Sequence, residues 1–251
     1  MSLYDKLNRE DLVQYFEDQF NTGEIRFDSK GNLKAFKRLT PDIPWLFTKE
    51  IVDTPVVGKC SVYQTFFAMK MGFIHSACHE CYKVVVKPKT VVQLMKLRDL
   101  QVALKLPSKC GIETRSFVPR LYGGYFYARG LEEGRKLHEL VSKRVKERID
   151  GDIEVILKRG CTEFEMKFGP SDKWEIIPEQ YEVEKEFFSI YSEDMEVPVE
   201  TPKHLEAYIK KNWLKWAASA TPPDLTYKEY TGGKKLALTC EYITYHEKGK
   251  E

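Results

Sequence analysis

The sequence predicts an α/β fold, with α+β as the alternative class. Its centre is a mixed sheet built from a β-α-β-α-β-β middle region, with helices packed on it and a C-terminal helical and hairpin extension. Three observations predict this. Short β-rich runs at Tyr82–Val86, Tyr122–Tyr127 and Ile153–Leu157 alternate with two stretches of helical periodicity. The first helical stretch opens on Thr90, a good N-cap, and carries Val91, Leu94, Met95, Leu97 and Leu104 before Pro107. The second opens at Gly130 and carries the stripe Leu137, Leu140, Val141, Val145 and Ile149. Strand–helix–strand order predicts parallel pairing. A last strand, Thr162–Phe168, is expected to return antiparallel through a hairpin at Arg159-Gly160.

The flanking elements follow from the same rules. Leu12, Val13, Phe16 and Phe20 share one helical face, ended by Asn21-Thr22-Gly23. Glu24–Phe27 and Leu33–Phe36 read as a hairpin turning at Asp28–Asn32, and Pro41 and Pro44 break regularity before Trp45-Leu46-Phe47. Cys110-Gly111 reads as loop. The last third offers an acidic helix from Glu179 to Tyr191 and a basic, aromatic helix from Pro202 to Ala218. A terminal hairpin, Leu225–Tyr230 with Lys235–Tyr245, turns at Thr231-Gly232-Gly233. With no internal repeat or long linker, residues 1–251 read as one domain. Its core is 60–177, its N-terminal helix–hairpin 1–59 and its C-terminal extension 178–251.

The 251 residues suffice for a sizeable core, and 42% apolar with 31% charged is globular composition. A net charge of +2 sets up no global field. The charge is nonetheless uneven. Lys83 to Lys109 holds seven bases against Asp99, and Glu179 to Glu200 holds eight acids against Lys185. A basic and an acidic face are expected, the basic one a surface for nucleic acid. No run approaches the ~18 apolar residues of a membrane span, and residues 1–12 lack a secretory apolar region. A cytoplasmic protein with no membrane partner is expected. Six cysteines are too few for a secreted disulfide scaffold.

Those cysteines carry the strongest chemical signal. Cys78-His79-Glu80-Cys81 places two thiols three residues apart, just before a strand. Strand–helix topology is expected to return Cys110 to the same rim, with Cys60 reaching it through Val62–Phe73. Cys60, Cys78, Cys81 and Cys110 then form a zinc site, with His75 or His79 as substitutes, and an iron–sulfur cluster is the alternative occupant. Cys78 beside His75 or His79 also suits a thiolate–imidazolium nucleophile. Cys161 and Cys240 read as core or strand residues.

A second signal is acidic. In a strand Thr162–Phe168, Glu163, Glu165 and Lys167 share one face, opposite Asp152 on the neighbouring strand. This pattern resembles the Asp…(Asp/Glu)-x-Lys nuclease superfamily over residues 131–191, without the proline that family places before the aspartate. The resemblance implies Asp152 and Glu165 as Mg²⁺ ligands, Lys167 as catalytic lysine, and Glu154 or Glu163 in reserve. The bland account is an amphipathic strand with a solvated charged face.

Two further stretches were weighed. Arg120–Tyr127 resembles the RNA-stacking strand of an RNA-recognition motif but lacks the glycine after the basic residue. Gly123-Gly124 equally suits a bulge or a close backbone approach. The helix Lys203–Lys215, with Lys210, Lys211, Lys215, Trp213 and Trp216, reads as core stripe plus lysine-rich outer face. The expectation is therefore a cysteine-ligated zinc protein acting as a nucleic-acid-binding module. A Mg²⁺-dependent nuclease and an iron–sulfur protein are the alternatives.

Overall fold

The structure, a computed structural model, describes residues 9–23, 25–27, 29–31, 33–36, 40–48, 62–196 and 200–238. Helix α1 (Arg9–Asn21) leads into strands β1 (Ile25–Phe27), β2 (Leu33–Phe36) and β3 (Trp45–Thr48). Helices α2 (Tyr63–Met71, wound with i→i+5 bonds) and α3 (Ser76–His79) precede β4 (Cys81–Lys87). Then come α4 (Val91–Leu104), β5 (Ser108–Ile112), β6 (Tyr122–Arg129), α5 (Gly130–Arg148) and β7 (Glu154–Arg159). Helices α6 (Thr162–Phe168) and α7 (Gln180–Ile190), strand β8 (Tyr191–Glu196), helix α8 (Lys203–Ser219) and a 3₁₀ turn at Leu225–Tyr230 complete the chain. No helix among the described residues is long and apolar enough to cross a membrane.

The α/β class holds: a five-stranded sheet, β3-β5-β6-β4-β7, carries helices packed around it. The pairing differs from expectation, because every neighbouring pair in it is antiparallel. The reason is interleaving. Strand β6 lies between β4 and β5, and β4 lies between β6 and β7. Each strand–helix–strand unit therefore joins two parallel strands that do not touch. This β-α-β-β-α-β order is the split, ferredoxin-like arrangement, with β3 added at the β5 edge. Residues 108–112, expected as loop, supply β5. A separate sheet, β1-β2-β8, pairs β1 with β2 antiparallel, as the expected hairpin, and β2 with β8 in parallel.

Alternation along the central strands sends side chains to two different cores. Val84 and Val86 of β4, Phe126 and Ala128 of β6, and Cys110 and Ile112 of β5 pack against Leu94 and Leu97 of α4 and Val141 and Val145 of α5. Helix α8 joins this layer through Leu205, Ile209, Trp213 and Ala217, which recur at i+4 and are all buried. Tyr208 and Trp216 point outward instead, 61% and 46% exposed. Each aliphatic or aromatic side chain so buried contributes about 1.5–3 kcal/mol. A second, aromatic core gathers Tyr63, Phe66 and Phe67 of α2, Phe164 of α6 and Phe187 of α7, with Leu12 and Tyr15 of α1, around Cys78 and Cys81. On α1, Val13 and Phe20 prove exposed, so the buried stripe is displaced from the expected one.

Several local readings are corrected. Thr162–Phe168 is a helix, because Phe164 is drawn into the aromatic core beside Trp174. Leu225–Tyr230 is a 3₁₀ turn rather than a strand. Residues 235–238, the start of the expected second strand, are not a strand, and the rest of that hairpin, from residue 239 on, lies outside the described residues, as do Cys60 and Cys240. Gly123-Gly124 makes no bulge, since the β4–β6 and β5–β6 registers run unbroken. Gly124 instead admits Leu97: a Cβ there would lie 2.3 Å from Leu97 Cδ2. Gly111 is required more strictly, because a Cβ would meet the Pro44 backbone oxygen at 2.1 Å, where Ile112 N donates to that same oxygen.

Polar side chains lock the helices to the sheet. Thr90 Oγ1 caps α4 by accepting from Gln93 N at 3.2 Å. Asp224 accepts from Val91 N and from the Tyr122 hydroxyl, both at 2.6 Å, and from Thr226. It thereby ties the start of α4, strand β6 and the C-terminal turn together. Arg98, 4% exposed, reaches Glu206 of α8 at 2.7 Å and the Phe47 carbonyl of β3 at 3.3 Å.

Asp224→Ala should cost about 3 kcal/mol, since it removes charge-assisted bonds and leaves the Tyr122 hydroxyl buried without its acceptor. Burial acts to raise the Asp224 carboxyl, but the bonds from Tyr122, Thr226 and the Val91 and Thr226 backbone outweigh it, and the group is held below its ordinary range. Its contribution is therefore complete above the unfolded carboxylate value of ~3.9 and lost as pH falls through the folded value. Urea titrations at pH 7 and in acid should show the wild-type advantage over Asp224→Ala shrinking in acid.

Candidate nucleic-acid interface

The sheet face opposite α4 and α5 is fixed by register. Lys83 pairs with Tyr127 on β6 and with Lys158 on β7. Val85 pairs with Tyr125 and Ile156, Tyr125 pairs with Lys109 on β5, and Lys109 pairs with Phe47 on β3. The side-chain period of two puts all of these on one face. Five cross-strand neighbours at ~4.8 Å spacing span about 19 Å from Phe47 to Ile156.

Cations and rings interleave there. The Lys109 ammonium lies 4.6 Å from the Trp45 ring centroid and 5.5 Å from that of Tyr125. Lys83 lies 5.5 Å from the Tyr125 ring on its other flank. Trp45 and Tyr125 are 5.6 Å apart and tilted. Tyr125 is buried and forms the floor, while Trp45, Tyr127, Lys109 and Lys158 are half-buried around it. Cation–ring contacts of this kind are worth about 0.5–2 kcal/mol each.

Arg115, from the loop between β5 and β6, closes one side. It donates to Glu113 at 2.6 Å, to Glu163 of α6 at 2.7 Å and to the Tyr125 hydroxyl at 3.2 Å. The Tyr125 hydroxyl in turn donates to Glu113 at 3.0 Å. Burial pushes the Glu113 and Glu163 carboxyls up, but the Arg115 guanidinium outweighs it and holds both below their ordinary range. Burial, then the Glu113 charge, pushes the Tyr125 phenol up. On the far side Lys158 is ion-paired with Glu165 of α6. Burial and the facing Lys83 pull the Lys158 ammonium down to about 8, against the opposing pull of Cys161 and Glu163. Lys83 also approaches Cys161 Sγ at 3.9 Å.

The basic segment Lys83–Lys109 does not form a single surface. Lys83 and Lys109 reach this face, but Lys87 pairs with Glu154 at 2.7 Å and Arg98 is buried against Glu206. Arg115 and Lys158 complete the face from outside the strands, helices and basic run read from sequence, whereas Trp45 and Tyr125 come from the runs Trp45-Leu46-Phe47 and Arg120–Tyr127. Strict alternation about Tyr125 and Tyr127 was the available signal. The resemblance of Arg120–Tyr127 to an RNA-stacking strand fails in phase, because Tyr122 faces the helices and bonds Asp224, and the rings on the second face are Tyr125 and Tyr127.

The metal-binding reading is overturned. Among the described residues, no three or more His, Cys, Asp or Glu side chains are placed to hold a metal ion. Cys81 is level with Arg129 and Cys110 with Gly124 on β6. Five residues, an odd number, set the two sulfurs on opposite faces and about 17 Å apart along the strand. Cys110 therefore sits in the helix-side core and Cys78 and Cys81 in the aromatic one. The helix after β4 does return the chain, but β5 carries Cys110 inward from the rim. The zinc site and its iron–sulfur alternative go with it.

The expected thiolate–imidazolium pair is not formed. His75 stacks on Tyr63 at 4.1 Å and approaches Glu184 at 3.6 Å. His79 is buried beside Arg159 and Trp174, and burial, then Arg159, depresses its imidazole. Burial raises the Cys78 thiol well above its ordinary value and pushes Cys81 and Cys110 up to about 12.

The acidic set named by the nuclease resemblance is dispersed. Asp152 is exposed in the turn before β7. Glu165 meets Lys158, six residues further on and about 20 Å along the strand. Lys167 is exposed and donates to the Met69 carbonyl at 3.2 Å. Glu154 and Glu163 are paired with Lys87 and Arg115. Against known proteins, the chain matches no family model, no curated protein and no solved structure.

Cys78, Cys81 and Cys110 should resist iodoacetamide in the native protein at pH 8 and react once it is unfolded in urea. Mass spectrometry of the labelled peptides checks this, and native-state labelling of Cys78 ahead of the others would contradict its burial.

Proposed function

We propose that the chain is a nucleic-acid-binding module that takes a single strand across the sheet face of Trp45, Lys109, Tyr127 and Lys158, floored by the buried Lys83 and Tyr125. The observation that carries this reading is the interleaving of cations with rings: Lys109 over both Trp45 and Tyr125, and Lys83 on the other side of Tyr125. Ammonium and guanidinium groups attract the phosphodiester backbone, and the half-buried rings of Trp45 and Tyr127 offer flat apolar surface to unpaired bases. Alternation on a sheet suits a single strand better than a duplex, whose bases are already stacked on each other. Cys78, Cys81 and Cys110 are buried free thiols, which supports a reducing, cytoplasmic setting.

Fluorescence anisotropy with labelled single-stranded DNA and RNA tests the reading. Binding should weaken steeply as salt rises. Trp45→Ala should lose about 1–3 kcal/mol of affinity, and Lys109→Ala should flatten the salt slope by about 0.7. Affinity and slope left unchanged by both substitutions would overturn it.

A further inference from the structure

Two carboxylates of α6 occupy cations of the same sheet face. Helix α6 follows β7 directly and lies over the end of the sheet, held by Phe164, which is 1% exposed and 6.1 Å from the Trp174 ring. Its Glu163 reaches across to Arg115 at 2.7 Å, and its Glu165 binds Lys158. Glycines in the left-handed region bracket the helix, Gly160 at φ 60° and Gly169 at φ 83°. Gly160 also packs where a Cβ would meet the Trp174 ring at 2.5 Å. The backbone of α6 is thus pinned, and its glutamates are the parts left to move. Their side chains are 21% and 30% exposed, so water and ions reach them.

A carboxylate on a guanidinium or ammonium is the closest intramolecular counterpart of a phosphate oxygen, with the same charge-assisted bond. Arg115 donates to Glu163 and to Glu113 from different nitrogens, so releasing Glu163 leaves Arg115 still positioned by Glu113 at 2.6 Å. Lys158 is likewise held by its strand, opposite Lys83. Both cations would then present their donors to an incoming anion without moving.

We infer that Glu163 and Glu165 are a built-in competitor, holding Arg115 and Lys158 until the phosphodiester backbone of a single strand displaces them. This inference rests on the proposed strand-binding face and adds its regulation: the affinity of the face is set from within by two acids that mimic phosphates. Binding exchanges side-chain ion pairs for phosphate pairs, and the fold of α6 is unchanged by it.

The test compares the wild-type chain with Glu163→Gln/Glu165→Gln, which keeps the shape and one acceptor oxygen of each side chain but removes the charge. The readout is anisotropy of labelled single-stranded DNA and RNA between 20 and about 300 mM salt. Far-UV circular dichroism and melting show that the variant is folded, and Glu165→Gln alone serves if the double variant is not. The double variant should bind about tenfold tighter or more at low salt, with a salt slope steeper by about 1.4 because no displaced carboxylates take up cations against those the phosphates release, and Glu165→Gln should show about half that increase in slope. A purely structural role for the two pairs would lower the melting temperature and leave the slope alone. Binding by both proteins with equal affinity and slope would overturn the competitor while leaving the strand-binding reading in place. Binding by neither would overturn the strand-binding reading itself. A silent wild type beside a binding variant would support both.

Discussion

The register of β4 against β6 and β7 governs this molecule. Strand β4 is the second strand from one edge, yet it is covered on both sides, so its run Tyr82–Val86 is apolar at nearly every position. Val84 and Val86 face the helix layer, and Cys81, Lys83 and Val85 face away. A slip of one residue would drive Lys83 into the packed side chains of Leu94, Leu97 and Val141 and expel two valines. Apolar burial on the helix side therefore fixes where the polar side chains go on the other. The same parity parts Cys81 from Cys110 and brings Lys83, Lys109, Lys158 and Tyr125 together.

Much of the fold was legible because local and tertiary preferences agreed. Thr90 caps α4 as its position suggested, and the stripe Leu137, Val141, Val145 packs on the sheet, with Leu140 alone turned out to 38% exposure. The hairpin β1–β2 and the strands at 82–86, 122–127 and 153–157 also lie where alternation placed them, within a residue or two. Where the reading failed, short windows admitted two periods. Glu163 to Phe168 alternates perfectly, yet Phe164 and Phe168 also stand at helical spacing, and only packing against Trp174 decides between them. Strand β5 contains glycine and follows a proline, so its composition spells loop. It is a strand because β3 and β6 pair with it on both sides. Helix α2 was missed because its exposed side includes Met69 and its i→i+5 winding departs from the 3.6-residue period.

The candidate site was less legible for a related reason. Spacing in sequence reports which residue types are close along the chain, but a site needs their directions. Cys78 and Cys81 are neighbours, as the motif implied, and they share an aromatic core that disfavours the thiolate. The basic segment was visible as a run of charge. Its members then disperse, because α4 turns Arg98 toward Glu206 and the cross-strand pair takes Lys87 to Glu154. Lys83, Lys87 and Lys109 lie on strands with the right parity, and of these Lys87 is taken by Glu154 at the end of the sheet. Arg115 and Lys158 come from 6 and 49 residues beyond that run, and only the sheet brings them to it.

Collecting these cations is costly to the fold. Lys83 and Lys158 face each other directly across β4 and β7, an arrangement that destabilises a sheet when uncompensated. Glu113, Glu163 and Glu165 offset it, but not equivalently. The Glu113 side chain is 1% exposed and accepts from both Arg115 and Tyr125, so removing its charge would leave the buried Tyr125 hydroxyl and the half-buried Arg115 guanidinium without their acceptor. Glu163 and Glu165 meet solvent, where an ion pair is worth less to stability and is readily exchanged. The three acids thus divide by burial into one that builds the face and two that cover it. A fold selected only for stability has no need of the second kind at this spot, since apolar residues in place of Lys83 and Lys158, beside Val85 and Ile156, would remove the repulsion along with its compensation. Facing lysines with solvent-exposed partners are what set this face apart from an ordinary solvated sheet, and they are the ground of the proposed strand-binding reading.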